Sequence, residues 1–307
     1  MTVPPLDWWL STRFSSIPPL SHAVELADRV SLAALGEPSE SRAAPCNLRA
    51  ICRSGGFHPK RLDRRFAEYS HDALLVPQSD GDFTILVDPI PKAENSLSDD
   101  LARHRNRFRI AHEIAHSFFF DRRTRPPARV VSPSAEEELF CDEFASALLV
   151  PRARLNGIAP TPENAFQLAQ THDVSVEVAA RAIGKAYPDL SVVGLLWRNH
   201  PNKAGRPSLR VTWSAGPRFI PRDASLHSDV ANRAAIDGDS RGVEPLNAAA
   251  LRGHFFVDAA RLPKRRQIVV FLTPSSSLAT GSQTASKTLP LAFGEKSTPN
   301  DRQRSNP

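Results

Sequence analysis

The chain has 307 residues, 41% of them hydrophobic and 23% charged, with a formal net charge of +6 at pH 7 and a pI near 9.6. That length allows one large or two modest domains with real cores. The composition is ordinary for a globular protein, and no apolar run approaches the roughly 20 residues a membrane span needs. The basic balance permits a nucleic-acid or acidic partner, and equally a solvated arginine-rich surface.

In chain order, residues 1–19 form a Pro-rich lead-in. Trp8 and Trp9 stand there without the basic segment and long apolar stretch of a signal peptide. Ser21 to Leu35 carries Val24, Leu26, Ala27, Val30, Ala33 and Ala34 at helical spacing, with Ser21 as the expected cap and Gly36 as the stop. A short helix from Asn47 to Ser54 ends at Gly55-Gly56. Ala73 to Val76 and Phe83 to Val87 read as strands, and Ser79-Asp80-Gly81-Asp82 between them predicts a hairpin. A helix starts between Asp99 and Arg107 and runs to about Phe120. A second helix covers Ala135 to Leu149, stopped by Pro151.

Thr161-Pro162-Glu163 is a helix start with proline at the first helical position, and 161–187 reads as two helices. Past Asp189 the pattern changes to strands: Val192 to Arg198, Leu209 to Trp213 and Gln267 to Leu272, with a Gly/Asp/Asn-rich middle before the last. Residues 189–275 are expected to form a small α+β domain. The Ser/Thr/Pro/Lys-rich tail, 276–307, is expected to be disordered. Cys46, Cys52 and Cys141 are an odd, sparse set without CxxC spacing, which argues against a disulfide framework and for a reducing cytoplasm.

The chemistry concentrates in His112-Glu113-Ile114-Ala115-His116. On a helix, histidines four residues apart project from one face, so both imidazoles can reach one metal ion. The adjacent Glu113 is then placed to take a proton from a metal-bound water, which points to a zinc hydrolase. Chance alone would put this pentapeptide in about one such chain in a hundred, so the context decides. Catalytic zinc generally takes three protein ligands, and the third is expected on a helix packed across the first. Glu138, 22 residues beyond His116, fits that place, with Asp142 one turn later to orient a ligating imidazole. Glu137 and Asp142 remain alternative ligands. The competing reading makes Glu136, Glu137 and Glu138 a solvated charge cluster at a helix N-terminus. It suits Glu136 and Glu137, whereas Glu138 is preferred as ligand because Leu139, Cys141, Ala145, Leu148 and Leu149 give the helix a buried side. Arg103, Arg105, Arg107, Arg109, Arg122, Arg123, Arg125 and Arg129 flank the motif. Such a basic rim could attract an acidic substrate segment and is equally consistent with solubility.

Arg107-Phe108-Arg109-Ile110-Ala111-His112-Glu113-Ile114-Ala115-His116, followed by Glu138-Leu139-Phe140-Cys141-Asp142-Glu143-Phe144-Ala145 through Pro151, resembles the ImmA/IrrE family of zinc metallopeptidases. That family reads R-F-x-x-A-H-E-x-x-H and then E-x-x-A-[ND]-x-F-A-x-x-L-L-x-P. The strand before the motif, Ile85-Leu86-Val87-Asp88-Pro89, and the helical unit 161–186 are similar as well, so the resemblance covers roughly 20–188. Two positions depart from it: Cys141 stands where alanine is usual, which would put a free thiol near zinc, and Ala115 stands where glycine is common. The resemblance implies an α+β, zincin-like core with one Zn2+ on His112, His116 and Glu138, Glu113 as general base and Asp142 as outer support. It also implies a helix-turn-helix repressor, often encoded nearby, as the protein substrate, cleaved during stress or mobile-element induction. Some members carry a sensor-like domain after the peptidase, the part 189–275 would play. No residue is named for the oxyanion; His71, Tyr69 and His172 are candidates.

A rival reading comes from Leu168 to Arg181, which resembles a helix-turn-helix and with the basic pI suggests a DNA-binding regulator. Its second helix offers little to base edges or phosphates before Arg181 and Lys185, so a helix pair completing the peptidase fold is favoured. A mere interaction module would leave the paired histidines and the second-helix carboxylates in register unexplained.

Overall fold

The computed structural model describes residues 5–38, 45–62, 73–87, 99–198, 208–218, 220–248, 251–262 and 266–278. His71, Tyr69, Asp88, Pro89 and the tail from 279 lie outside the described residues.

The lead-in contributes a helix, α1 (Pro5–Ser11), whose Trp9 is fully buried and stacks on Phe118 at 5.4 Å between ring centroids. The next helix, α2 (Leu20–Leu35), buries Ala23, Leu26, Ala27 and Val30 on one stripe. It starts one residue before the expected cap. Pro19 holds that position and no side chain caps the helix, because proline's fixed φ suits helix entry. Its end is as read, with Gly36 in the left-handed region at φ 74°. Asn47 caps α3 (Leu48–Gly55) by accepting from the Ala50 N–H. Gly56 then turns the chain at φ 65°, where a Cβ would lie 2.2 Å from an Asp82 carboxylate oxygen.

That turn feeds β1 (Phe57–Arg61), which pairs parallel with β3 (Phe83–Val87). β3 in turn pairs antiparallel with β2 (Ala73–Pro77). The hairpin 73–87 is therefore present, in a sheet of order β1-β3-β2 that leaves β2 at an edge.

The motif helix, α4 (Asp99–His116), buries Ala111, Ile114 and Ala115. It closes in a 3-10 turn at Ser117–Phe119, where the Ser117 hydroxyl donates to the Ile114 carbonyl. Two short strands follow, β4 (Phe120–Asp121) and β5 (Ala128–Arg129), paired antiparallel. Ser134 caps α5 (Ala135–Leu149) by accepting from the Glu137 N–H, and three glutamates in the first turn match the positive end of the helix dipole. α5 packs across α4 and α2 through Phe140, Cys141, Phe144, Ala145 and Leu148, all fully buried. Leu139 differs from expectation: it is 58% exposed, because the buried stripe runs one residue further round the helix.

The helix pair α6 (Pro162–His172) and α7 (Val176–Ala186) is capped by Thr161 and Ser175, as their sequence indicates. Asp173 makes the turn between them in the left-handed region at φ 52°. Both helices lie against a second sheet, whose strands are β6 (Ser191–Arg198), β7 (Ser208–Ala215), β8 (Asp239–Ala248), β9 (Leu251–Arg261) and β10 (Gln267–Pro274). All its pairings are antiparallel, in the order β7-β6-β10-β9-β8. The Gly/Asp/Asn-rich middle, left unassigned by periodicity, holds β8, β9 and a helix, α8 (Asp229–Asp237). The sheet's strands alternate as the pleat requires. Val192, Val269 and Phe271 join the core of the motif helices, while Val193, Leu195, Ile268, Val270 and Leu272 face a second core beneath α8. The architecture is α+β. No helix is long and apolar enough to cross a membrane among the described residues.

Candidate metal centre

α4 and α5 cross so that three side chains meet. His112 and His116 stand one turn apart on α4 with their Nε2 atoms 3.0 Å from each other. From α5, the Glu138 carboxylate reaches both, Oε2 at 3.2 Å from His112 Nε2 and Oε1 at 3.5 Å from His116 Nε2. Each imidazole is anchored by its other nitrogen: His112 Nδ1 lies 2.9 Å from Asp142 Oδ1, and His116 Nδ1 lies 2.6 Å from Glu137 Oε1. A carboxylate on Nδ1 holds the proton there, which turns the Nε2 lone pair toward the common point. Three lone pairs converging within hydrogen-bond distance repel one another unless a cation lies among them. The donor set, two imidazoles and a carboxylate, suits zinc.

The charge balance agrees. Burial lowers the His112 pKa, but the hydrogen bonds it donates to Asp142 and Glu138 and the charges of Asp142 and Glu113 outweigh it, leaving it raised to about 9. Without an ion, then, His112 carries a proton at neutral pH, and a metal must displace it.

Glu137 departs from the sequence expectation. Its side chain is fully buried rather than solvated, and besides meeting His116 it accepts from the Arg129 guanidinium. Burial works against its charge, but these two partners prevail and hold its pKa below the ordinary carboxylate value. Arg129, carried by β5, also donates from Nε to the Val131 carbonyl at 2.7 Å and lies over the Phe120 ring. Residue-by-residue reading did not single out Arg129, and its place in a run of arginines gave no signal. Glu136 stays outside the site.

Cys141 is the competing donor. Its Sγ and one ring nitrogen each of His112 and His116 all lie within 4.8 Å of one another. The thiol is fully buried, and burial together with the charges of Glu137, Glu138, Glu113 and Asp142 pushes its pKa far up. A thiolate there would add a further anion to a carboxylate cluster, so Glu138 is the better third donor on electrostatic grounds.

The histidines and Glu138 open into a pocket of about 450 Å³ that Glu113 also lines. Its walls include Leu74 and Leu75 of β2, Phe108 and Arg109 of α4, and Arg129. Glu113 is nearly buried at 7% exposure, which shields a carboxylate from bulk water beside the place a reacting group would occupy. Of the oxyanion candidates, His172 is buried at the end of α6 and does not line this pocket. The other two lie outside the described residues.

Residues 96–183 match the model of a peptidase family described as the IrrE N-terminal-like domain. That is the family the motifs resemble, and the matched segment holds both site helices, α6 and most of α7. No curated protein matches the chain. Among solved structures, a Mycobacterium tuberculosis transcriptional regulator is similar over 85% of this chain and 77% of that one, with 14% identity and a TM-score of 0.44. A likeness that slight carries no argument about function.

Proposed function

We propose that the protein is a zinc-dependent endopeptidase, with His112, His116 and Glu138 holding one ion and Glu113 acting as general base. The observation that carries this reading is the convergence of three lone-pair donors whose imidazoles are each fixed by a carboxylate on the far nitrogen. When bound, the ion would supply positive charge and Lewis acidity at the centre of the pocket. The chain's own groups do the rest. Asp142 and Glu137 hold the imidazoles in one tautomer and orientation. Glu113 takes the proton from the attacking water and returns it to the leaving amine. The hydrophobic walls from Leu74, Leu75 and Phe108 limit access of bulk water.

A polypeptide substrate is supported by the position of β2. It is the outer strand of its sheet, lines the pocket, and has no strand partner opposite β3 among the described residues. An extended peptide laid along such an edge gains main-chain hydrogen bonds while its scissile bond passes the metal. Within that class we favour a helix-turn-helix repressor in the cytoplasm, on the strength of the family resemblance. By the same resemblance, 20–188 is the peptidase unit and 189–275 the sensory part. A DNA-binding role for α6–α7 gains no support, since Arg181 and Lys185 are engaged by Glu177 and Glu143.

The test is cleavage, with zinc, of a helix-turn-helix repressor substrate by wild type and Glu113→Gln. Wild type should cut it, and Glu113→Gln should retain the ion and lose about 100-fold or more in rate. Equal cleavage by both would remove Glu113 from the mechanism.

A further inference from the structure

A second pocket, of about 480 Å³, adjoins the metal pocket along α4 and is bounded by α5 and α7 instead of β2. The two meet at Phe108 and Arg109, which line both, and Asp142 lines the second pocket while holding His112. Two large apolar side chains from different helices stand exposed over it, Leu20 at 49% and Leu139 at 58%. Exposed leucines converging on one concavity beside a reaction site mark a surface built to be covered.

Its charges are unevenly matched. The three acids that line it are engaged within the protein: Asp142 with His112, Glu143 with Lys185, and Glu177 with Arg181. The Arg105 guanidinium is exposed, lines the pocket, and has no ion pair among the described residues. Arg109 follows one helical turn later. An apolar floor with a surplus guanidinium recognises a large aliphatic side chain next to a carboxylate.

We propose that this pocket is a specificity subsite for the substrate polypeptide, taking a Leu-like residue adjacent to Asp or Glu, with Leu139 and Arg105 as the selecting side chains. The proposal rests on the peptidase reading for its substrate, but its recognition step does not need hydrolysis. Continuity with the metal pocket through Phe108 and Arg109 lets one extended chain occupy both. The paired acids within the pocket disfavour a basic segment.

Zinc-loaded Glu113→Gln protein allows binding to be read without cleavage. The probes are two fluorescent synthetic peptides, alike except for a central Leu-Glu-Leu-Glu or Leu-Lys-Leu-Lys block, followed by fluorescence anisotropy. The acidic peptide should bind about tenfold tighter. Adding Arg105→Gln should erase the preference, Arg105→Glu should reverse it, and Leu139→Ser should weaken both peptides. Both sites are exposed, and unchanged thermal unfolding of the variants would show that the fold is kept. Equal binding of the two peptides, or a preference that persists in Arg105→Glu, would overturn the subsite. If wild type fails to cleave any peptide while the preference and its reversal hold, the peptidase reading fails and the recognition site stands.

Discussion

Glu137 and Glu138 are neighbours in sequence, yet they serve opposite sides of one imidazole. Consecutive helical residues point about 100° apart, and the crossing of α4 over α5 determines which carboxylate meets Nε2 and which meets Nδ1. Glu138 stands at the open rim, whereas Glu137 is sealed between His116 and Arg129. Removing the Glu137 charge while keeping its shape, in Glu137→Gln, should weaken zinc binding by roughly 10- to 100-fold, as loss of an outer-shell partner does. A chelator competition titration would measure this, and an unchanged affinity would show that Arg129 and Glu137 are only packing. The pattern His-Glu-x-x-His, with a carboxylate 22 residues on, names four residues that the fold brings to one pocket. The run Glu136-Glu137-Glu138 gave no sign that Glu137 is buried while Glu136 stays exposed, because helix-dipole stabilisation applies to both equally. Burial of one depends on a partner helix, and Arg129 arrives from a strand two residues long.

At the scale of elements, one latch joins the motif helix to the α6–α7 pair. Asp173, at the turn between the two helices, accepts from Arg103 Nε at 3.1 Å and Nη2 at 2.8 Å, lies 3.1 Å from His104 Nε2, and has Arg107 at 3.5 Å. Burial works against the carboxylate charge, yet Arg103, Arg107 and His104 outweigh it and hold its pKa below the usual value. Asp173→Asn keeps a residue that tolerates positive φ and removes only the charge. At pH 7 it should cost about 1 kcal/mol, a modest figure because the site is partly exposed. A lowered pKa contributes stability above the unfolded-state value near 3.9, and that stability is lost as pH falls through the folded value. The difference between wild type and Asp173→Asn in denaturant titrations should therefore be full at neutral pH and shrink as the pH falls below the ordinary carboxylate value and through the lowered folded one. A difference that persists in acid would point to backbone strain instead of charge.

α4 and α5 could be read from the motifs they carry, and α6 and α7 from their capping residues. β1, Phe57-His58-Pro59-Lys60-Arg61, could not: it is an edge strand with four exposed residues and a proline, and its partner is more than 20 residues away. β8 was hidden likewise, since it carries Gly242 and Pro245 on the other sheet's edge. α8 owes part of its start to a remote group, because the Glu244 carboxylate accepts from the Asp229 and Val230 N–H groups at 2.9 and 3.2 Å.

At the scale of the whole molecule, a single core joins the N-terminal helices, the motif helices and one face of the five-stranded sheet, from Trp9 to Phe271. A displacement of that sheet would be felt by α6 and α7, and through the Asp173 latch by the helix that carries the histidines. The arrangement makes the candidate metal centre an outcome of the entire fold, which is why a pentapeptide can suggest a chemistry but not a complete ligand set. The competition between Glu138 and Cys141 for the third position tests that set most directly. Zinc content by elemental analysis, after identical dialysis of wild type, Glu138→Ala and Cys141→Ala, decides it. We expect one ion per chain in wild type and in Cys141→Ala, and little in Glu138→Ala. Zinc retained without Glu138 and lost without Cys141 would contradict the account.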